Sequence, residues 1–384
     1  MKKIEGKALI ESGYKSYLSD ESKLAGFTEL IIFPESKQEL SRIMAEFYSQ
    51  EKPFHVSGAR TGIVGGGVPN GAALISTVEL NKIIGYERSG SGVSLQVESG
   101  VTLEEIDDYL KSTPYKGINY RFNVDVTEKS ATIGGVWATN GSGARSFMYG
   151  PARKNIFSCD VVLPSGQMIH LDRENHLFKG SKFYDDSLPI EEVDLEGYSF
   201  ADIKNNAGFY FRNDMPLLDL FIGSEGLLGI AAQIELRLYP ATELLGVLCF
   251  LDTEDNALDL ADQVRSRERL SSLEYFGPAA IILLKNLSTM KGNPLKIPPI
   301  EKADKTALYL EYITEGEKDT ENIYEELAPL LSSCGGDIDR TWTAFDSSEM
   351  KRLKDFRHAL PEAINTKIAR LQVRYPSVHK MSTD

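Results

Sequence analysis

Apolar positions in this chain fall into short runs broken by turn residues, and their period changes along its length. Residues 29–33, Glu-Leu-Ile-Ile-Phe, form an apolar run closed by Pro34, the pattern of a buried strand. Ser36 and Glu39 then give the spacing of a capping box, and apolar residues at helical spacing carry a predicted helix to about residue 50. Residues 53–57 and 72–76 read as two more strands on either side of a glycine-dense loop. Residues 27–80 thus predict a small βαβ unit, preceded by an N-terminal helical segment over 1–26.

Strands are predicted next at 93–98, 157–163 and 230–239, separated by short helices and glycine turns. Thr102 and Glu105 form a second capping box, opening a helix over 102–111. Residues 172–216 are polar, rich in Asn, Asp, Gly and Lys, and read as a long surface excursion. Beyond Pro240, candidate strands at 244–251, 307–313 and 338–343 alternate with helices, and a last one spans 376–383. The expected organisation is α+β: a first domain over 27–240, with subdomains 27–80 and 81–240, and a second α+β domain over 241–384.

Composition narrows the function classes. Among 384 residues, 42 Lys+Arg face 56 Asp+Glu, a net charge of −14 that disfavours nucleic acid as the main ligand. The chain is 42% hydrophobic and 26% charged, ordinary for a globular protein. Three scattered cysteines, Cys159, Cys249 and Cys334, make neither a disulfide scaffold nor an iron–sulfur site. With no apolar run of about 18 residues and a charged N-terminus, a membrane span is not expected. The expected location is cytoplasmic, with a partner as the route to any peripheral membrane association.

Candidate chemistry lies in three glycine-rich stretches. In Ser57-Gly-Ala-Arg-Thr-Gly-Ile-Val-Gly-Gly-Gly67, missing β-carbons allow successive backbone N–H groups to face one anion, as pyrophosphate binding requires. No Gly-Lys-Ser/Thr follows and no G-x-G-x-x-G occurs there, so it is neither a P-loop nor a Rossmann turn. Thr132-Ile-Gly-Gly-Val-Trp-Ala-Thr-Asn-Gly-Ser-Gly143 offers a wall of small residues for a flat ring, with polar groups in reach. Gly223-Ser-Glu-Gly-Leu-Leu-Gly229 places three glycines before a regular strand.

These blocks, with Val97-Glu-Ser-Gly-Val101 and Tyr149-Gly150 in the same order, resemble the PCMH-type FAD-binding domain of the vanillyl-alcohol-oxidase superfamily. The branch they most resemble contains glycolate oxidase flavin subunits, D-lactate dehydrogenases and D-2-hydroxyglutarate dehydrogenases. The resemblance implies that Gly58, Ala59, Arg60, Thr61 and Gly62 cradle the FAD pyrophosphate, with hydroxyl contacts from Ser57 and Thr61. It places Thr132, Gly134, Gly135, Thr139, Gly141 and Gly143 along the ribityl and isoalloxazine portion, has Ile230 offer main-chain groups to the cofactor, and counts Asn140, Tyr149 and Gly229 among the cofactor-binding residues. Members with a tethered flavin carry a histidine in the first loop; Ala59 and Arg60 stand here, so non-covalent FAD is expected, with His55 a packed strand residue.

Lys204-Asn-Asn-Ala-Gly-Phe-Tyr210 resembles a K-N-x-x-G-Y segment near the active site of this branch, with Phe209 in place of the usual tyrosine. Arg357 and Lys380 match positions that hold a substrate carboxylate, which suits a guanidinium fork and an ammonium; a solvated helix face is the other reading of Arg357. The five histidines lack the H-x-H spacing of the family's metal and base motif, so no metal site is expected, and the second domain reads as a C-terminally incomplete substrate (cap) domain. The implied function is an FAD-dependent dehydrogenase of a D-2-hydroxy acid such as glycolate, D-lactate or 2-hydroxyglutarate. Its electrons would pass to a protein acceptor or quinone, an iron–sulfur subunit among the candidates. The alternative is a non-catalytic FAD-binding or electron-relay subunit.

Overall fold

The computed structural model describes residues 1–89, 92–203, 206–289, 300, 301 and 304–374. Two compact units result, one of Met1–Ser142 with Gly150–Pro240, the other of Gly143–Tyr149 with the described residues after Pro240.

The first unit opens with β1 (Lys2–Glu5), α1 (Lys7–Gly13) and a short 3-10 turn, Lys15–Leu18. Residues 1–26 are therefore not simply helical. Only Ile4 of β1 is apolar and buried, so no sequence period announces a strand that exists because it pairs antiparallel with β2 (Leu30–Phe33). Then follow α2 (Lys37–Ser49), β3 (Phe54–Ser57) and β4 (Ala73–Ser76). The sheet order is β1-β2-β4-β3, with β4 inserted in parallel between β2 and β3. Ser36 caps α2 by accepting from the Glu39 amide at 3.2 Å, while the Glu39 carboxylate accepts from the Glu35 amide at 3.0 Å. The buried α2 stripe of Leu40, Ile43, Met44 and Phe47 packs with Ile32, Ile75, Val162 and Ile230. Burying each such side chain contributes about 1.5–3 kcal/mol.

The larger sheet of this unit uses β5 (Ile83–Ser89), β6 (Gly92–Glu98), β7 (Tyr120–Arg121), β8 (Ile156–Val162), β9 (Met168–Asp172) and β12 (Ile230–Pro240), in the order β5-β6-β12-β8-β9 with β7 on β12. Helices α3 (Leu103–Ser112) and α4 (Ile133–Ala138) precede α5 (Ser146–Tyr149), which lies in the segment that belongs to the second unit. Thr102 and Glu105 form the full reciprocal capping box of α3.

Residues 172–216 correct the expectation of a surface excursion. They carry the two-stranded pair β10 (Lys182–Phe183) and β11 (Val193–Asp194) and lead into α6 (Leu217–Phe221). Phe178, Phe183, Phe211 and Met215 are buried in the main core of the unit. Their irregular spacing follows a backbone without regular period, so tertiary packing alone decides which of them are inside.

The second unit is an antiparallel sheet of β13 (Glu243–Leu251), β14 (Leu270–Phe276), β15 (Thr306–Thr314) and β16 (Trp342–Ala344), in the order β14-β15-β13-β16. Alternation divides it cleanly. Leu245, Val247, Leu308 and Leu310 pack with α7 (Glu254–Val264) and α9 (Glu317–Ser333). Leu248, Phe250, Ala307 and Tyr309 pack with α8 (Pro278–Thr289) and α10 (Ser347–Arg374). The strand expected over 338–343 is instead a 3-10 turn, Ile338–Arg340, capped by the Asp337 side chain, with only Trp342–Ala344 paired. The strand expected at 376–383 lies outside the described residues.

Candidate functional site

The site is a cleft in the first unit with a volume of about 260 Å³. One wall is the loop after β3. Outside the strands, none of the backbone N–H groups from Ala59 to Gly67 donates a hydrogen bond among the described residues, which leaves a run of free donors. Arg60 lines the cleft with its backbone in the left-handed region (φ 60°). Its guanidinium turns back onto the Tyr17 ring at 3.8 Å and donates to the Ser16 and Gly58 carbonyls at 3.0 and 3.1 Å, bracing the loop.

The opposite wall is α4. Thr132 caps it by accepting from the Gly135 amide at 3.4 Å, and the Gly134 amide donates to the Ser99 carbonyl at 2.8 Å. A β-carbon on Gly134 would stand 2.8 Å from the Ser99 backbone oxygen, so only glycine allows this docking. The third glycine loop closes the far end of α4: Gly223 and Glu225 amides donate to the Trp137 and Ala138 carbonyls at 3.0 and 2.9 Å.

Buried polar atoms around this cleft lack partners among the described residues. Ser57 Oγ, Ser99 Oγ, Trp137 Nε1 and one oxygen of Asp20 are all shielded and unpaired. Leaving such groups unsatisfied costs about 1–3 kcal/mol each, and a ligand bearing complementary groups would satisfy them. Free amides for an anion, small residues for a flat ring and hydroxyls for polar edges together match the chemistry of a flavin dinucleotide.

Ser57, Gly58, Ala59, Arg60, Thr61, Gly62, Thr132, Gly134, Gly135, Thr139, Gly141, Gly229 and Ile230 all line this cleft. Asn140 does not. It is buried beside the cleft at φ 48°, where its side chain accepts from the Arg153 amide at 3.0 Å and donates to Asn206. Gly143 and Tyr149 belong to the second unit. His55 Nε2 accepts from the Asn70 amide at 3.1 Å. Lys204 lies outside the described residues, whereas Tyr210 stacks under the Arg153 guanidinium at 3.9 Å. Ser99 and Glu225 line the cleft from within blocks that the sequence singles out, whereas Asp20, Thr77 and Glu128 line it without any local signature, because tertiary packing brings them there.

The second unit has its own buried charged cluster. Arg145 Nε donates to Glu311 Oε2 at 2.9 Å, and the Tyr309 hydroxyl donates to the other oxygen of Glu311, which is fully buried. Arg357 is 7% exposed, so it is not on a solvated face. Its guanidinium makes a two-point contact with Glu274 at 2.5 and 3.0 Å and lies 5.0 Å over the Tyr309 ring. Burial, and then the Glu311 carboxylate, push the Tyr309 phenol well above its ordinary range. Lys380 lies outside the described residues. No helix among the described residues is long and apolar enough to cross a membrane.

Comparison with known proteins gives the same picture of the first unit. Residues 28–172 match the FAD binding domain family. A D-lactate dehydrogenase of Anaerostipes hadrus is 32% identical over 230 residues, covering 59% of this chain and 40% of that protein. A probable mitochondrial D-2-hydroxyglutarate dehydrogenase of Oryza sativa subsp. indica is 30% identical over 283 residues, 72% of this chain and 43% of that one. Half or less of these relatives' length is matched. Among solved structures, an alkyldihydroxyacetonephosphate synthase shares the fold with a TM-score of 0.62 at 18% identity, over 90% of this chain and 60% of that one. Residues 28–172 thus carry an FAD binding domain, and FAD is the cofactor that this domain indicates.

Proposed function

We propose that FAD lies non-covalently in this cleft, and that the chain is the flavin-binding part of a dehydrogenase of a D-2-hydroxy acid such as glycolate, D-lactate or 2-hydroxyglutarate. The carrying observation is a loop of undonated amides and a small-residue helix lining one cleft, in a chain whose relatives are named D-lactate and D-2-hydroxyglutarate dehydrogenases. When bound, FAD would supply an acceptor for the hydride of the hydroxyl-bearing carbon, while the hydroxyl proton goes to a base to which no residue is assigned, so that the 2-oxo acid forms. The protein's part is to bind and orient. Backbone groups of Gly58 to Gly62 hold the pyrophosphate, Thr132, Gly134, Gly135, Thr139 and Gly141 hold the flat ring, and no histidine of the loop is available for a tether. Arg357 takes the substrate carboxylate in exchange for Glu274, with Lys380 as the second cation. Electrons then pass to an external acceptor, a quinone or a protein such as an iron–sulfur subunit.

The test is the visible spectrum of the purified yellow chain under anaerobic addition of glycolate, D-lactate and D-2-hydroxyglutarate. Bleaching by one of them names the substrate class. A yellow chain that none bleaches removes the dehydrogenase reading for this chain and leaves a relay role, which one observation favours: the Arg357 guanidinium is already occupied by a protein carboxylate.

A further inference from the structure

Residues 14–25 form a clasp over the glycine loop. Tyr17 and the Ser16 carbonyl hold the Arg60 guanidinium, and the Glu21 amide donates to the Arg60 carbonyl at 3.3 Å. Inside this clasp stands Asp20, only 6% exposed. Its Oδ1 is locked by the Ser22 amide at 2.9 Å and by the Ser22 hydroxyl, whereas Oδ2 has no partner among the described residues. Asp20 lines the cleft, and Oδ2 stands 3.8 Å from where a β-carbon on Gly62 would be, at the end of the anion-binding loop.

A buried carboxylate oxygen without a partner is costly, so something must donate to it when the cleft is filled. A phosphate cannot, since it brings only negative charge and acceptors. On either side of the FAD pyrophosphate the next groups are sugar carbons, ribose on one side and the ribityl chain on the other, and both carry hydroxyls. We infer that Asp20 is a cofactor-positioning residue whose Oδ2 accepts a hydrogen bond from a sugar hydroxyl beside the pyrophosphate. The arrangement resembles in kind the acidic residue that receives a ribose hydroxyl in dinucleotide folds, built here from a segment outside the glycine blocks. Charge on the acceptor makes such a bond stronger than a neutral one.

The inference rests on FAD occupying the cleft, and the wild-type titration checks that separately. Apo-protein of wild type, D20N and S22A is titrated with FAD, FMN and ADP, with thermal melting of each apo-protein as the folding control. D20N keeps the shape and the Ser22 contacts but removes the charge. The expected result is about a tenfold weaker FAD affinity in D20N, with the same loss for ADP alone if ribose is the donor, or for FMN alone if the ribityl chain is. S22A, which leaves the carboxylate in place and unlocks it, gives a smaller loss on the same ligand. FAD affinity in D20N equal to or tighter than wild type, or a loss shared equally by ADP and FMN, overturns the inference. A wild-type chain that binds no flavin defeats the cofactor site itself.

Discussion

A β-carbon built on Gly58 would stand 2.1 Å from the hydroxyl oxygen of Thr132. This contact brings two glycine-rich stretches far apart in sequence to one place, and Thr132 is also the cap of α4. An alanine at Gly58 must push Thr132 aside, and losing a cap of this kind costs about 0.5–2 kcal/mol. G58A is expected to melt lower and to bind FAD at least roughly tenfold more weakly, because both walls of the cleft move together. Fluorescence titration of the apo-protein with FAD measures it, and wild-type affinity would show that the contact does not shape the site.

The second unit offers a test of buried charge. Arg145 and Glu311 pair with almost no exposure, at 8% and 0% of their side chains. Removing one charge of a buried pair costs about 3–5 kcal/mol, whereas replacing both by apolar groups of similar size costs less. E311Q is therefore expected to lose several kcal/mol in denaturant unfolding, and R145M/E311L to recover part of it, since the Tyr309 hydroxyl then lacks its Glu311 acceptor. Equal losses in the single and double variants would mean that the charges themselves are not the issue.

A surface pair gives a pH signature. His170 Nδ1 lies 2.8 Å from Asp160, which also accepts from Lys37 at 2.7 Å. The hydrogen bond to Asp160 raises the imidazole above its ordinary value and the same bond lowers the Asp160 carboxyl. A raised histidine stabilises fully below its unfolded value of about 6.5 and loses this as pH rises through the folded value. The lowered carboxyl contributes above about 3.9 and loses this as pH falls through its own folded value. The gap in melting temperature between wild type and H170Q is thus expected to be wider near pH ~5.5 than near pH ~8.5. A gap that widens toward alkaline pH contradicts the assignment.

Glu274 and Arg357 distinguish a substrate site from a structural pair. If Glu274 occupies the place of a substrate carboxylate, E274Q removes the competing charge beside the guanidinium and lowers the KM for the hydroxy acid, while R357A loses flavin reduction and keeps bound FAD. If the pair only stabilises the second unit, both variants lower the melting temperature and KM stays put. Steady-state kinetics beside a melt separates the two.

Much of the cleft is legible in the sequence because its requirements are local. Glycines that must let backbone or hydroxyl approach, as at Gly58 and Gly134, are visible as such, and so is the Thr102 capping box. Asp20 is not legible, since a lone aspartate in a polar segment gains its meaning only when residues 14–25 fold over Arg60. Likewise Phe178 and Phe211 are core residues without periodicity, and Glu311 sits in an apolar strand whose partner, Arg145, comes from a distant loop.

Flavin content tests the central claim most directly. The purified chain is precipitated with acid, the supernatant spectrum is recorded, and the stripped protein is offered FAD again. A yellow chain that releases its flavin to the supernatant and takes up FAD anew, with G58A impaired in the uptake, is the expected result. A colourless chain that takes up no FAD contradicts the cleft as a flavin site, and colour retained in the pellet contradicts non-covalent binding.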